Sequence, residues 1–196
     1  MNNVERKIHK VAVVYHSAYG HTERQAKAIA AGAVMAGVSA TLHSVLSLGQ
    51  NLDELEDADA IIFGSPTYMG SVSAAFKAFM DDSSKVWLRR AWQDKIAAGF
   101  TNSQNLSGDK LNTLIQMAIF ASQHGMIWVG QSELSKSTSA GVDAVDSINR
   151  MGVSLGAVAQ SDNSAPELTP PKGDLLTAEK LGQRVATIVK KFHRLT

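Results

Sequence analysis

The sequence predicts an α/β fold in which helices cover both faces of a parallel sheet. Short apolar runs typical of buried strands alternate with longer segments whose apolar residues recur at helical spacing. Three of these strands end in loops rich in hydroxyl, amide and glycine residues. Because the carboxyl ends of parallel strands meet at one edge of a sheet, where open α/β sheets bind their ligands, we expect a ligand site there.

The first strand and the turn after it carry the strongest local signal. Residues 11–15 are apolar, residues 17–22 read Ser-Ala-Tyr-Gly-His-Thr, and a helical pattern with Ala26 and Ile29 follows. The first N–H groups of a helix lack intrahelical acceptors, and the helix dipole places partial positive charge there. Hydroxyl donors and a permissive Gly20 complete a turn suited to a phosphate group. The Walker motif and the G-x-G-x-x-G dinucleotide motif are both absent.

The remaining strands and helices follow in alternation. Apolar runs typical of strands lie at residues 39–45, 60–63, 95–101 and 126–129. Polar loops are predicted at residues 64–71 and 102–109. Helices are predicted after the second loop, with Ala75, Phe76, Phe79 and Met80 on one face, and at residues 111–122 and 174–192. Residues 130–151 are rich in Ser, Gly and Thr and predict an insertion, after which residues 154–158 could resume a strand.

Composition narrows the class of protein. The chain has 196 residues, 44% of them hydrophobic, and 19 Lys and Arg balance 18 Asp and Glu. We expect a single domain over residues 1–196, with no nucleic-acid or membrane partner. The absence of cysteine excludes disulfides, thiolate nucleophiles and cysteine metal sites, and we expect no metal. With no apolar leader and no run long enough to span a bilayer, a cytoplasmic location is expected.

Four motifs together resemble one family. The turn Ser17-Ala18-Tyr19-Gly20-His21-Thr22 is similar to the phosphate loop of flavodoxin-like proteins, and Gly64-Ser65-Pro66-Thr67-Tyr68-Met69-Gly70 resembles the G-[ST]-P-T-x-x-G loop of their NAD(P)H:quinone oxidoreductases. Gln123-His124-Gly125-Met126 and Trp87 also resemble that family, in particular the proteins first described as tryptophan-repressor-binding proteins. The resemblance implies a flavodoxin-like three-layer sandwich, with a five-stranded parallel sheet of order 2-1-3-4-5 and helices on both faces.

The resemblance also implies FMN as cofactor and transfer of two electrons from NAD(P)H to a quinone or related acceptor. The residues implied to hold the phosphate are Ser17, Tyr19, Gly20, His21 and Thr22. Those implied along the flavin ring are Pro66, Thr67, Tyr68, Met69 and Gly70, with Thr101, Asn102 and Ser103 on its other edge. His124 would border the nicotinamide and Trp87 the substrate, and no residue is assigned as a catalytic acid or base. A homodimer or homotetramer is implied as well.

Two differences from the family pattern bear on the acceptor. Where the family usually has arginine and then phenylalanine after Pro-Thr, this chain has Tyr68 and Met69. The third loop, residues 102–109, is less rich in Gly and Thr than in relatives. The acceptor and the choice between NADH and NADPH stay open, as does the role of residues 130–151 as a lid or an interface.

Three other functions are compatible with parts of the sequence. A flavodoxin that carries single electrons is the main alternative, although such proteins are typically acidic and this chain has a net charge of +1. A hydrolase would use the G-x-S-x-G pattern around Ser154 with Asp174 and His193, but prolines follow where the motif requires a helix. A flavin-free scaffold for a protein partner is the third alternative, and the intact hydroxyls of the first loop argue against it.

Overall fold

The computed structural model describes residues 8–135 and 144–193. In this part of the chain the strands are β1 (Lys10–Tyr15), β2 (Ser39–Ser44), β3 (Ala60–Tyr68), β4 (Ser71–Val72), β5 (Ile96–Ser103), β6 (Ile127–Trp128) and β7 (Ala157–Gln160). The α-helices are α1 (His21–Met35), α2 (Val45–Leu48), α3 (Ala74–Asp82), α4 (Ser84–Leu88), α5 (Lys110–Gln123) and α6 (Lys172–Phe192). Short 3-10 helices occur at Leu52–Leu55 and Ala144–Asp146.

The predicted sheet order is confirmed, with one refinement. The strands lie in the order β2-β1-β3-β5-β6, and all these neighbours are parallel. The fifth position is shared by two strands, because β6 pairs with the start of β5 and β7 pairs with its end. The predicted insertion separates them in the chain. With this division and the short strand β4, which pairs with β3, the sheet has seven strands where five were expected. Residues 136–143 of the insertion lie outside the described residues.

The second predicted loop is in fact a strand followed by a hairpin. Residues 64–66 continue β3 because they pair with residues 100–102 of β5, which itself extends further than expected. Met69 and Gly70, with φ of 48° and 77°, form a two-residue turn into β4. Positive φ at both central residues is the geometry of a type I′ hairpin. The apolar pattern ends at Phe63, so hydrophobic periodicity did not predict the polar part of this strand.

The helices form two layers with different cores. The layer of α1 and α6 packs on the sheet through Val, Ile, Leu and Ala side chains. Here Gly32 and Gly182 let the helices approach closely, since a Cβ on either would lie 2.0 Å from a backbone oxygen of the other helix. The opposite layer is aromatic, with Phe63 packed 5.3 Å from Phe120 and 6.4 Å from Phe76 between ring centroids. Both predicted helical layers are therefore present.

The parallel strands give the sheet two distinct edges. At the carboxyl edge, β1, β3, β5 and β7 end and α1 begins. At the amino edge, the same strands begin and the helices α5 and α6 end. None of the helices in the described part of the chain is long and apolar enough to cross a bilayer. That residues 1–196 form one domain stays a prediction.

Candidate functional site

An open cleft of about 1220 Å³ lies at the carboxyl edge of the sheet. Its walls come from the segments that follow β1, β3, β5 and β7. The lining residues are 17–19, 21, 22, 66–70, 102–105, 108, 109 and 161–166. The three loops predicted from the sequence are thus brought together as expected, and a fourth segment joins them.

The wall after β1 is a turn that opens α1. Gly20 has φ of 85°, where L side chains are strained, and a Cβ added to it would lie 2.9 Å from Pro166. The N–H of Arg24 donates to the oxygen of Gly20 and makes the first helical bond, while the N–H of Glu23 donates to Ser17 Oγ at 3.2 Å. The N–H groups of His21 and Thr22 have no intrahelical acceptor. This end of α1 therefore offers neutral hydrogen-bond donors to an anion.

The fourth wall, residues 161–166 after β7, is fastened to that turn. His21 Nε2 lies 2.9 Å from the carbonyl oxygen of Ser164, and the guanidinium of Arg24 donates to the carbonyl of Pro166. The Ser164 N–H donates to Asp162, and hydrogen bonds from Ser164 lower the pKa of that exposed carboxyl group. The sequence analysis missed this wall. The feature that could have predicted this wall is the turn-rich run Ser-Asp-Asn-Ser at residues 161–164, which closely follows the strand predicted at residues 154–158.

Buried hydroxyl groups hold the walls after β3 and β5 in register. Thr67 Oγ1 lies 2.8 Å from both Thr101 Oγ1 and Thr113 Oγ1. Asn102 Oδ1 accepts a hydrogen bond of 2.9 Å from Ser161 Oγ, which links the third and fourth walls. These side chains hydrogen-bond mainly to one another. Their role is therefore to hold the backbone of the cleft in place.

A buried lysine supports the third wall from behind. Lys110, at the start of α5, is 2% exposed, and its Nζ donates to the carbonyl oxygens of Asn105 and Leu106. Burial lowers its pKa to about 8. Deeper in the protein, Arg150 forms a bidentate ion pair with Asp174, at 2.8 and 3.0 Å. The second half of the insertion is thereby fixed to α6.

The cleft lining itself carries little charge. Its ionisable side chains are Tyr19, His21, Tyr68, Asp109 and Asp162, and no lysine or arginine is among the lining residues. Burial, with a smaller contribution from Tyr19, raises the pKa of Tyr68. An anionic group in this cleft would thus be held by helix N–H groups and hydroxyls, in agreement with the phosphate turn predicted from the sequence.

Most of the residues predicted for the site line the cleft, and four do not. The predicted residues in the lining are Ser17, Tyr19, His21, Thr22, Pro66, Thr67, Tyr68, Met69, Gly70, Asn102 and Ser103. Gly20 shapes the turn, and Thr101 is fully buried behind the cleft. Trp87 lies on α4, 44% exposed and away from the lining.

His124 lies at the opposite edge of the sheet, directly after α5. Its side chain is 3% exposed, and its Nε2 is 2.9 Å from Ser83 Oγ. The ring packs against Trp92 and Phe120, with centroids 4.5 and 4.9 Å apart. Burial, assisted by the charge of Arg90, lowers its pKa to about 4. Within one chain, His124 is a neutral core residue that does not reach the cleft.

The groups that a hydrolase would need are not assembled. The G-x-S-x-G segment leads into the strand β7, whereas a nucleophile elbow opens into a helix. Asp174 is paired with Arg150, and His193 lies at the amino edge beside Asp59. Ser154, Asp174 and His193 therefore form no triad.

Comparisons with known proteins agree with the geometry. Residues 50–141 match the family described as NADPH-dependent FMN reductase. The chain is 46% identical over 189 residues to "Flavodoxin FldP" of Pseudomonas aeruginosa, covering 94% of this chain and 98% of that protein. It is 30% identical over 206 residues to an "NAD(P)H dehydrogenase (quinone)" of Archaeoglobus fulgidus, covering 93% of this chain and 98% of the relative.

A solved structure extends the agreement to three dimensions. The flavodoxin, WrbA-like protein from Agrobacterium tumefaciens has 42% identity and a TM-score of 0.71, covering 93% of this chain and 98% of that one. Both the sequence relatives and this structure span nearly the whole chain, so the likeness extends well beyond the cleft motifs. The chain belongs to the flavodoxin-like flavoproteins of the WrbA type.

Proposed function

We propose that the cleft binds FMN and that the protein transfers two electrons from NAD(P)H to a quinone or a related small acceptor. The observation that carries the proposal is the start of α1, where open N–H groups and the Thr22 hydroxyl face a cleft without lysine or arginine. The FMN phosphate would sit there, held by donors that carry no formal charge. Membership of a flavoprotein family supports the same cofactor.

The remaining walls fit the flavin ring system. The ring would lie between the β3–β4 hairpin, with Tyr68 and Met69, and the backbone of Asn102 and Ser103. Asn112 Nδ2 donates to the carbonyl of Gly70 at 2.7 Å, so α5 holds the hairpin in place against the ring. The cleft volume, about 1220 Å³, exceeds the roughly 300–1,000 Å³ typical of small-molecule sites. Space is thus available for a second reactant next to the flavin.

Access to the cleft favours small reactants. Tyr19 is 73% exposed and Met69 fully exposed at the rim, so a nicotinamide or quinone ring can approach without a loop having to open. When bound, FMN supplies the redox chemistry, accepting a hydride and delivering two electrons. The protein's part is to hold the phosphate, orient the ring and shield one side of it from water.

A one-electron carrier is the second candidate. The Pseudomonas aeruginosa relative is named a flavodoxin, which supports the carrier, whereas relatives about 30% identical are named NAD(P)H dehydrogenase (quinone), which supports the enzyme. The net charge of +1 favours the enzyme, because carriers that dock to basic partners need an acidic surface.

An anaerobic titration separates the two candidates. FMN-loaded protein is mixed with NADPH and, separately, with NADH while the flavin absorbance is followed, and a quinone is then added. We expect stoichiometric bleaching by at least one nicotinamide and full recovery of absorbance on adding the quinone. Bound flavin that neither nicotinamide reduces, but that a chemical reductant does reduce, would favour the carrier.

Oligomeric state and location stay predictions. A homodimer or homotetramer would explain why Trp87 is 44% exposed and lies outside the cleft of its own chain, since a partner subunit could place it beside the flavin. Light scattering coupled to gel filtration measures the assembly directly. A cytoplasmic location and the absence of nucleic-acid partners are likewise expectations from the sequence.

A further inference from the structure

Three metal-ligating side chains meet at the amino edge of the sheet, the side opposite the cleft. His9, Asp59 and His193 each bring one potential ligand atom to within 4.8 Å of the others. Asp59 Oδ2 lies 3.4 Å from His9 Nδ1, and Asp59 Oδ1 lies 3.2 Å from His193 Nε2. We call these three residues the amino-edge cluster.

Each member is held by a different element of the fold. His9 precedes β1, and its carbonyl accepts hydrogen bonds from the Ser39 N–H at 2.9 Å and the Ser39 hydroxyl at 3.1 Å. Asp59 precedes β3; its N–H donates to Lys10, and its Oδ2 accepts from the Lys10 N–H at 2.8 Å. His193 closes α6, with its N–H on the carbonyl of Val189. The ligands are therefore supported by backbone hydrogen bonds.

We propose that the amino-edge cluster binds a divalent transition-metal ion, with Zn²⁺ as the best match. Two imidazoles and one carboxylate are a ligand set that Zn²⁺ commonly takes. Ligands about 2.0–2.1 Å from a tetrahedral ion lie about 3.3 Å apart. Each histidine nitrogen lies at a comparable distance, 3.4 or 3.2 Å, from one of the two Asp59 carboxylate oxygens. All three candidate ligand atoms lie within 4.8 Å of one another, so metal binding would draw them closer together.

The two imidazole rings support a metal over a simple ion pair. They stack with centroids 4.8 Å apart and 23° between their planes, so both imidazoles lie side by side next to Asp59. His9 Nδ1 is shielded from solvent and has no hydrogen-bond partner in the described part of the chain. A metal ion uses neutral imidazoles and gives this nitrogen a ligand bond.

The position of the cluster indicates a structural role. The ion would join the start of β1, the start of β3 and the end of α6, elements that are far apart in the chain. A ligand that binds only the folded state stabilises it by mass action. The side chain of His193 is 33% exposed, which leaves room for water as the fourth ligand. Because the flavin cleft is at the other edge, this ion is not expected to affect flavin affinity.

The test uses the full chain after removal of metals with a chelator. Zn²⁺ is titrated by calorimetry with and without FMN, Co²⁺ is added separately to record its visible spectrum, and thermal melts are measured with and without Zn²⁺. We expect one Zn²⁺ per chain, a higher Tm with Zn²⁺, and the intense visible bands of four-coordinate Co²⁺. The chain without flavin should bind metal equally well, so the result does not depend on the proposed function.

Matched variants assign the ligands. His9→Gln and His193→Gln should each weaken Zn²⁺ binding more than tenfold and leave FMN affinity unchanged. The control is His43→Gln, since His43 also lies near a carboxylate, 3.7 Å from Glu54, but without a second histidine. That variant should bind Zn²⁺ like the wild type. The proposal would be overturned if the wild type did not bind Zn²⁺ stoichiometrically. It would also be overturned if His9→Gln and His193→Gln bound Zn²⁺ as tightly as the wild type.

Discussion

The two edges of the sheet differ in both chemistry and origin. The carboxyl edge presents hydroxyls, N–H groups and a cleft without lysine or arginine, drawn mostly from runs of consecutive residues. The amino edge presents imidazoles and carboxylates, drawn from positions as far apart as His9, Asp59 and His193. One edge is therefore suited to an anion and the other to a cation.

Helix direction explains the difference. In this fold the helices run antiparallel to the strands, so α1 starts at the carboxyl edge while α5 and α6 end at the amino edge. Helix N-termini favour negative charge and C-termini favour positive charge. His193, which is 33% exposed, directly follows α6, whereas His124, directly after α5, is buried and stays neutral. The same arrangement of parallel strands thus prepares a phosphate site at one end and a setting for cations at the other.

The largest expected effect is a loss of FMN affinity at the carboxyl edge, caused by a substitution in the turn before α1. Gly20→Val places a β-branched side chain at φ of 85° and 2.9 Å from Pro166, which forces the first N–H groups of α1 out of position. Loss of about two charge-assisted hydrogen bonds corresponds to roughly 3 kcal/mol, or about a hundredfold weaker FMN binding. Fluorescence titration of FMN measures the change.

The control for that variant is Gly49→Val. Gly49 also has positive φ, 52°, but a Cβ added there would meet nothing within 4 Å and the residue is outside the cleft. It should lower stability and leave FMN affinity unchanged. If both variants weaken FMN binding equally, backbone strain alone explains the loss and the phosphate assignment is wrong.

The second largest expected effect is a loss of folding stability at low pH, caused by His124 at the amino edge. Burial lowers the pKa of His124 to about 4, below its unfolded value of about 6.5, so the unfolded chain binds the proton first as pH falls. Stability should therefore decrease from pH 6.5 toward pH 4, by about 2 kcal/mol at pH 5 from this residue alone. Urea denaturation at pH 7 and pH 5 measures it.

His124→Gln isolates this contribution. The variant should be less stable than the wild type at pH 7 but lose about 2 kcal/mol less between pH 7 and pH 5. For comparison, His43→Gln should change the pH dependence much less, because His43 is only partly buried and Glu54 raises its pKa against the lowering by burial. An unchanged pH slope in His124→Gln would show that the histidine is not a buried neutral group.

The smallest expected effect is the loss of one hydroxyl at the phosphate turn. Thr22→Val keeps the shape of a residue that is 2% exposed but removes its hydroxyl, and should weaken FMN binding by about 1–2 kcal/mol. The matched change Thr187→Val, on the exposed face of α6, should have no effect. Equal affinities for wild type and Thr22→Val would remove this hydroxyl from the phosphate site.

Features of the fold that depend on neighbouring residues were predicted from the sequence, whereas features that depend on distant contacts were missed. The first strand, the turn after it and α1 were predicted correctly because they are adjacent in the chain, and their periodicity changes within a few residues. The split of the fifth strand was likewise indicated, since the insertion separates two apolar runs. The polar end of β3 and the hairpin at Met69 and Gly70 were missed, because pairing with β5 holds the former and Asn112 holds the latter, rather than a local pattern.

Two predicted site residues show most clearly what a short motif cannot predict. His124 and Trp87 were assigned from a resemblance in short motifs, yet one lies in the aromatic core and the other on the surface of α4. A short motif identifies a residue but does not fix which edge of the sheet it faces. The fourth wall, residues 161–166, is held at the cleft by contacts with residues far away in the chain, among them His21, Arg24 and Asn102.

The parallel α/β architecture and the strand–turn–helix of residues 10–35 could be predicted from the sequence, and the strand order from its family resemblance. These depend on local hydrophobic periodicity, on glycine and hydroxyl placement, and on the rule that parallel strands end at one edge. Only the tertiary structure decided that His9, Asp59 and His193 meet, and that His124 is buried. Side chains so distant in sequence come together through strand pairing and helix packing, interactions whose partners are not adjacent in the chain.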